Sequence, residues 1–118
     1  MGAVMSFKTF SGLVLACGLL LGAGIVSAQA QEAEARLVIR EHKFEPAEIT
    51  VPAGKKVKLV IENQDSTAEE FESDELHREK VVPPKGKVTV NIGPLKPGRY
   101  AFFGDFHKET AKGVLIAK

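Results

Sequence analysis

Histidine and acidic side chains are the groups of this 118-residue sequence best suited to chemistry. The three histidines are His42, His77 and His107. A lone histidine is more often a surface or hydrogen-bonded residue than a ligand. However, Asp105 precedes His107 by two residues and so lies on the same side of an extended segment. The spacing favours His107 and Asp105 as a candidate pair of functional residues.

Two common enzyme chemistries find little support in the sequence. Ser66 and Ser73 have no partner that spacing identifies as a base, so a Ser-His-Asp constellation cannot be argued. A carboxylate pair for glycoside hydrolysis needs a cleft, which a domain of this size seldom provides. The only cysteine, Cys17, precedes the region that we expect to fold. That region therefore lacks a thiolate ligand, a disulfide and a cysteine nucleophile.

The first thirty residues have the pattern of a secretory signal peptide. Lys8 supplies one positive charge, Ser11 to Val26 is apolar, and Ala28-Gln29-Ala30 is a small-x-small cleavage signal. One alternative is a membrane anchor, but the apolar run is shorter than the ~20 residues of a span. Another is a lipoprotein attached through Cys17, which the apolar run after that cysteine disfavours. We expect this segment to be removed and a soluble domain, residues 31–118, to be exported to the periplasm.

Charge is balanced in the expected domain. The chain holds 16 Lys and Arg and 15 Asp and Glu, and Lys8 is the only one of these in the first thirty residues, which leaves 15 of each sign. Binding to nucleic acid requires an excess of positive charge on one face. We therefore expect no nucleic-acid partner.

The hydrophobic pattern from Arg36 onward has a period of two, as in β-strands with one buried face. Proline and glycine punctuate it at short intervals, for example at Pro52-Ala53-Gly54 and Pro97-Gly98. This density of short strands and turns predicts an all-β domain, a sandwich or barrel of seven to eight strands. The alternating residues are Leu37, Ile39, Ile49, Val51, Val57, Leu59, Ile61, Val88, Val90, Ile92, Tyr100, Phe102, Val114 and Ile116.

The segment from Glu69 to Glu75 carries the strongest local charge bias. On composition alone we interpret it as the solvated edge of a sheet, where charges discourage pairing with other molecules. Ser73 to Glu79 is the one place where a helical turn fits the pattern. The run from Arg78 to Lys80 is interpreted as exposed ion pairs that add little stability.

Several motifs follow one another over nearly all of residues 31–118. They are F-x-P-x-x-I-T-V-P-A-G-x-x-V from Phe44 to Val57, I-E-N-Q-D from Ile61 to Asp65, E-E-F-E-S from Glu69 to Ser73, G-P-L-K-P-G-R-Y-A-F-F-G-D-F-H from Gly93 to His107, and K-G-V-L-I from Lys112 to Ile116. In order and spacing this series resembles the cupredoxins. The resemblance implies a Greek-key β-sandwich of the cupredoxin type.

In copper-binding cupredoxins, two histidines, a cysteine and an axial methionine form the blue-copper site. The resemblance places Glu69 at the first histidine, Gly104 at the cysteine and Ala111 at the methionine, so His107 is the one ligand that remains. Without the thiolate, the copper–sulfur bond of a blue-copper centre cannot form. The resemblance therefore implies the fold but not a blue-copper electron carrier.

The replacements change the type of ligand in the same way. Sulfur ligands are absent, and carboxylates lie in or beside the expected ligand loops. The resemblance also places His42 at the end of the first strand, at the same pole as these loops. Carboxylate and imidazole together suit iron, manganese or Cu(II). We predict a site for an iron or copper ion made by His42, Glu69, Asp105 and His107. Further candidates outside this primary set are Glu70, Glu72 and His77.

The longer pattern, E-E-F-E-S, L-H-R-E-K-V-V-P-P and the motif from Gly93 to His107, is similar to the small periplasmic cupredoxins that accompany bacterial high-affinity iron permeases. This resemblance implies a metal-binding accessory protein in iron uptake that works with an iron permease complex in the inner membrane. Two alternatives stay open. One is a stand-alone ferroxidase or copper oxidase, and the other is a metal-free interaction module whose acidic pole docks on a partner.

Overall fold

The computed structural model describes residues 32–118, which fold as nine β-strands and one short 3-10 helix, Asp105–His107. The strands are β1 (Glu32–Arg40), β2 (Lys43–Glu45), β3 (Glu48–Val51), β4 (Lys56–Asn63), β5 (Glu69–Ser73), β6 (Arg78–Val82), β7 (Lys87–Ile92), β8 (Gly98–Gly104) and β9 (Lys112–Ala117). The predicted signal peptide and Cys17 lie outside the described residues. Within residues 32–118, no helix is long and apolar enough to cross a membrane.

The strands form two sheets. The order is β2-β1-β4-β7 in the four-stranded sheet and β3-β9-β8-β5-β6 in the five-stranded sheet. β1 pairs in parallel with β4, and β3 pairs in parallel with β9, whereas the other neighbours are antiparallel. Because β1 and β4 run in the same direction, the turn after β1 and the loop after β4 lie at the same pole.

The core lies between the sheets and is built from the inward positions of the period-two pattern. Phe44, Phe71 and Phe102 pack at its centre and are 3%, 0% and 2% exposed. The rings of Phe44 and Phe102 meet edge to face with centroids 5.0 Å apart, and those of Phe71 and Phe102 are 5.4 Å apart. Such aromatic pairs stabilise a core beyond the area that they bury. The cluster joins β2 of one sheet to β5 and β8 of the other.

The predicted all-β sandwich is confirmed, although the described residues form nine strands rather than seven to eight. The sequence pattern missed the short or highly charged strands. β2 has only three residues, too few to show a period. In β5 and β6, charged residues obscure the apolar alternation.

The interpretation of the segment from Glu69 as a solvated edge is wrong. This segment forms β5, which lies between β8 and β6 in the sheet interior. Its alternate residues point to the core, and even the glutamate among them is 1% exposed. The inward residues are Glu69, Phe71 and Ser73, and the outward ones are Glu70 and Glu72.

One edge of the five-stranded sheet is β6, whose first four residues are exposed. Arg78 donates hydrogen bonds to the carbonyl oxygens of Asn91 and His77, both at 3.0 Å. The helical turn that the sequence suggested before β6 is a non-helical turn at residues 74–77. The His77 N–H closes it by donating to the Asp74 carbonyl at 3.2 Å.

Candidate metal centre

Three of the predicted ligands meet at the pole where β1, β4 and β8 end. His42 lies in the turn between β1 and β2, Glu69 begins β5, and His107 ends the 3-10 helix that follows β8. One nitrogen of each histidine and one carboxylate oxygen of Glu69 lie within 4.8 Å of one another. The structure thus brings together three of the four residues predicted as the primary site.

Glu69 is a buried carboxylate whose two oxygens are both hydrogen-bonded. Its Oε1 atom accepts the backbone N–H of Phe106 at 2.9 Å and that of Glu70 at 3.0 Å. Its Oε2 atom lies 2.5 Å from Nδ1 of His107. The side chain is only 2% exposed. Burying a carboxyl group is costly unless such partners satisfy it, so these contacts explain how it is retained in the core.

The two histidine rings stack at the surface above Glu69. The centroids of His42 and His107 are 3.7 Å apart, and the ring planes differ by 15°. The side chains are 42% and 29% exposed. An imidazole nitrogen binds a metal in the plane of its ring, so two nearly parallel rings do not direct their lone pairs at one point. Binding of one ion through both rings requires one ring to turn.

Asp65, in the loop after β4, also faces the centre, although the sequence reasoning did not select it. Its Oδ2 atom lies 3.5 Å from Nδ1 of His42. Burial of the Asp65 carboxyl opposes its ionisation, but hydrogen bonds from the backbone N–H groups of His42 and Glu41 and the charges of His42 and Lys85 outweigh burial. Together they lower the pKa of Asp65. The I-E-N-Q-D motif gave the available signal, but it was used only for the resemblance and no role was assigned to Asp65.

The space around Glu69 explains why small residues occupy the positions that the resemblance assigned to cysteine and methionine. A Cβ atom on Gly104 would lie 2.6 Å from Cδ of Glu69 and 2.7 Å from Cβ of Ala111. The backbone N–H of Gly104 also donates to the carbonyl of Ala111 at 2.8 Å. The Glu69 carboxylate therefore fills the volume that a larger side chain at position 104 would need.

Asp105 does not join the cluster, contrary to the sequence prediction. Pairing of Phe71 with Gly104 places Asp105 beside Glu70, on the outer face of the sheet. There its Oδ1 atom lies 3.3 Å from Nζ of Lys108. The parity argument failed because β8 ends at Gly104, so Asp105 and His107 lie on one turn of 3-10 helix and not on a strand.

The secondary candidates lie away from the centre. Glu70 and Glu72 face outward and form a second acidic group with Glu79, their carboxylate oxygens lying within 4.8 Å of one another. Burial, followed by the charges of neighbouring acids, raises the pKa of Glu70 and of Glu72. His77 is an exposed turn residue with a φ of 56° and belongs to neither group within the described residues.

The fold and the cluster together define a class of protein. It is a small two-sheet β-sandwich that carries candidate metal ligands in loops at one pole. The chain belongs to the cupredoxin-like domain family, whose model matches residues 13–117. The family expectation from the sequence is thereby confirmed.

A relative in Rickettsia prowazekii (strain Madrid E), the uncharacterized protein RP394, is 49% identical over 83 residues. The match covers 70% of this chain and 66% of the relative. The chain thus spans slightly less than two thirds of that protein.

Solved structures of known copper proteins share the fold. The metal-binding domain of the Cu(I)-exporting P-type ATPase CopA of Streptococcus pneumoniae D39, solved with Cu(I), has a TM-score of 0.68 and 15% identity, over 76% of this chain and 89% of that one. Auracyanin A, a "blue" copper protein from Chloroflexus aurantiacus, has a TM-score of 0.64 and 13% identity, over 74% and 99%. At such low identity the likeness shows the fold alone.

Proposed function

We propose that this protein binds a transition-metal ion at His42, Glu69 and His107 and serves as a periplasmic accessory protein in iron uptake. The observation that carries the proposal is the buried Glu69 carboxylate, which is bonded to His107 directly beneath a second histidine. A buried acid with two imidazoles at one pole suits a cation better than it suits core packing. Its partner would be an iron permease complex in the inner membrane.

The donor set favours Cu(II) or iron over Cu(I). Neither a thiolate nor a thioether belongs to the cluster of His42, Glu69 and His107, and these soft ligands are the ones that select Cu(I). Copper as the bound ion is supported by solved structures that share the fold, since the CopA domain was solved with Cu(I) and auracyanin A is a "blue" copper protein. Iron is supported by the carboxylate and by the sequence resemblance. We propose iron as the ion bound at the cluster, and the alternative is a copper ion that oxidises iron.

The residues of the cluster fit such an ion chemically. Glu69 offers negative charge from a position that water hardly reaches, and the partly exposed histidines offer neutral nitrogen ligands. A bound copper or iron ion would supply one-electron redox chemistry. The protein contributes a preformed carboxylate, a histidine that this carboxylate orients, and a second histidine at the surface through which an ion can enter and leave.

The first experiment measures metal binding by the purified protein. We expect Cu(II) or iron to bind with a Kd of about 1 μM or tighter. His107→Ala and Glu69→Gln should each weaken binding by roughly 10-fold to 100-fold, the effect typical of lost or disordered metal ligation. His77→Ala is the matched control, because this exposed histidine lies outside the cluster and should leave the affinity unchanged.

Two outcomes would overturn the metal centre. One is binding no tighter than roughly 100 μM for Cu(II), Fe(II) and Fe(III) alike. The other is equal affinity in the parent and in both cluster variants. Either result would leave the metal-free interaction module as the better account of the chain.

The role in iron uptake requires a separate test in cells. Deleting the gene should lower the uptake of radioactive iron under iron limitation, and the parent gene should restore it whereas the gene for His107→Ala should not. The His77→Ala gene should restore uptake as the parent does. Normal uptake in the deletion strain would reject the iron role while leaving metal binding intact.

Ferroxidase activity is the second candidate function. The buried Glu69 carboxylate favours it, because anionic oxygen ligands stabilise the higher oxidation state of iron. The purified protein should then accelerate the oxidation of Fe(II) by the oxygen of air, and Glu69→Gln should reduce the rate. Tight binding without accelerated oxidation would leave the accessory role alone.

A further inference from the structure

The turn that carries His42 has a backbone conformation that its residues disfavour. Glu41 and His42 connect the paired residues Arg40 and Lys43, and their φ values are 53° and 60°. A two-residue hairpin turn with positive φ at both positions prefers Asn-Gly or Gly-Gly. Non-glycine side chains adopt this region uncommonly, glutamate less readily than histidine, and such conformations persist where the surroundings stabilise them. The turn therefore needs an external support.

Asp65 supplies this support. Its Oδ1 atom accepts the backbone N–H of Glu41 at 2.8 Å, and its Oδ2 atom accepts that of His42 at 3.0 Å. Both central amides of the turn are therefore held by one carboxylate. The Asp65 side chain is 15% exposed, and of the two bonds the one to His42 is partly buried whereas the one to Glu41 is exposed.

Asp65 is itself fixed to the core. Its backbone N–H donates to Oδ1 of Asn63 at 2.9 Å. Asn63 is 1% exposed, and its Nδ2 atom donates to the carbonyls of Thr67, Val82 and Pro83 at 2.9–3.3 Å. The turn is thus connected through Asp65 and Asn63 to the interior of the sandwich.

The imidazole of His42 lies beside the same carboxylate. Nδ1 of His42 is 3.5 Å from Oδ2 of Asp65, an ion-pair distance that is longer than the 2.5 Å hydrogen bond between Nδ1 of His107 and Oε2 of Glu69. The hydrogen bonds of residues 32–118 involve Nε2 of neither histidine. A carboxylate at the second nitrogen of a metal-binding histidine fixes its tautomer and raises its basicity.

We infer that Asp65 is a positioning residue of the metal centre, which holds the Glu41–His42 turn and keeps the imidazole of His42 beside Glu69 and His107. This inference rests on the proposed function, because it takes His42 to be a ligand. Asp65 acts through His42 and does not itself contact the ion. Its removal should matter only as long as His42 is present.

A double-mutant cycle with Cu(II) as the probe tests this dependence. Asp65→Ala should weaken Cu(II) binding roughly 10-fold to 100-fold, the usual effect of losing such a partner. In the background of His42→Ala, the same change should have no further effect, because the two residues form one unit. Asp74→Ala is the matched control, since this exposed aspartate lies in a turn outside the cluster and should bind as the parent does.

A second variant guards against loss of the fold. Asp65→Ala combined with Glu41→Gly keeps the turn accessible, because glycine adopts positive φ without strain, but it still removes the carboxylate from His42. We expect this double variant to fold and to bind Cu(II) as weakly as Asp65→Ala. Parent affinity in either variant, or additive losses in the cycle, would overturn the inference.

A measurement without metal completes the test. In the parent, the ring protons of His42 and His107 should show the mutual ring-current shifts of stacked rings in NMR spectra. Asp65→Ala should reduce these shifts, whereas unchanged shifts would count against the inference.

The binding data distinguish failure of the proposed metal centre from failure of the role of Asp65. If His42→Ala and His107→Ala bind Cu(II) as the parent does, the proposed centre is wrong. If they bind weakly but Asp65→Ala does not, only the role of Asp65 is wrong.

Discussion

Glu69 is buried like a core residue, although its side chain is a carboxylate and a candidate metal ligand. The backbone N–H groups of Phe106 and Glu70 hold one oxygen, and the other oxygen faces His107. Removing one hydrogen-bond partner of such a buried group destabilises the protein by more than the net contribution of that bond. The group that remains is then buried with neither a partner nor water to bond to. The carboxylate and its small neighbours must therefore be considered together.

Gly104→Ala should destabilise the protein by about 1–3 kcal/mol, the usual cost of adding a methyl group to a filled core. The new Cβ would lie 2.6 Å from Cδ of Glu69 and 2.7 Å from Cβ of Ala111, closer than side-chain atoms pack. Urea unfolding of the metal-free variant measures the loss. Glu69→Ala should reduce the penalty in the double variant, because it removes one of the two clashes.

Gly98→Ala is the control for this effect. The nearest atom to a Cβ at Gly98, in the same strand, is Cε1 of Tyr100 at 3.7 Å, an ordinary contact. We expect its free energy of unfolding to stay within about 0.5 kcal/mol of the parent value. Equal effects at the two glycines would show that Glu69 does not occupy the space beside Gly104.

At the scale of single elements, β5 has two faces with opposite character. Its inward face supplies Glu69 to the centre and Phe71 to the core, while its outward face presents Glu70 and Glu72. Glu72 lies directly opposite Glu79 on β6. Like charges opposite each other across antiparallel strands destabilise the pair. The acidic outer face therefore opposes folding at neutral pH.

Glu72→Gln should raise Tm at pH 7 and lose this advantage at acidic pH. Burial, and then the charges of Asp105, Glu79 and Asp74, raise the pKa of Glu72 above its ordinary value of 4.5. The folded state binds the proton of the Glu72 carboxyl more tightly than the unfolded state does. Protonation of Glu72 therefore stabilises the fold fully below pH 4.5, and this stabilisation is lost as the pH rises through the pKa of the folded state. Glutamine avoids that loss. Thermal unfolding of parent and variant at pH 4 and pH 7 measures the difference.

The control for this prediction is Glu75→Gln, which changes an exposed glutamate in the turn after β5. It should alter Tm less at pH 7 than Glu72→Gln does. A Glu72→Gln variant that is less stable than the parent at pH 7, or equally shifted at both pH values, would contradict the repulsion.

Phe102→Ala should cost about 3–5 kcal/mol, as truncations of large core residues do. Its ring is 2% exposed and packs on Phe44 and Phe71, so the variant loses contacts in both sheets. Denaturant unfolding gives the measurement. Phe106→Ala is the matched control, because that ring is 51% exposed and only its backbone N–H contacts Glu69. A loss below about 1 kcal/mol at Phe102 would contradict the central position of its ring.

Sequence reasoning reached the fold because apolar residues recur at alternate positions in β1, β4 and β7, with Val60 as an additional buried residue in β4. It failed at β5, where Glu69 occupies an inward position that the pattern counts as polar. The resemblance still selected His42, Glu69 and His107, which the fold brings together. Asp105 was misplaced and Asp65 was missed. Both errors concern segments after a strand ends, where side-chain direction follows local turn geometry that periodicity does not encode.

At the scale of the whole molecule, the centre joins the two sheets. His42 belongs to the turn between β1 and β2 of the four-stranded sheet, whereas Glu69 belongs to β5 of the five-stranded sheet and His107 to the 3-10 helix that follows β8. The hydroxyl of Thr110, in the loop before β9, also donates to the carbonyl of His42 at 2.7 Å. An ion bound by all three ligands would therefore link parts of the chain that separate on unfolding.

Metal binding should consequently stabilise the fold. An ion that binds only the folded state adds about 2.7 kcal/mol when its free concentration is 100 times Kd. For a domain of this size, that corresponds to a rise in Tm of roughly 10–20 °C. Thermal unfolding at increasing Cu(II) measures the rise, which should fall to about half or less in His107→Ala and be kept in His77→Ala. The His107→Ala comparison matters because copper also binds unfolded chains and exposed histidines. An equal rise in the parent and in His107→Ala would show that the stabilising ion binds elsewhere, and no rise in the parent would contradict binding across the two sheets.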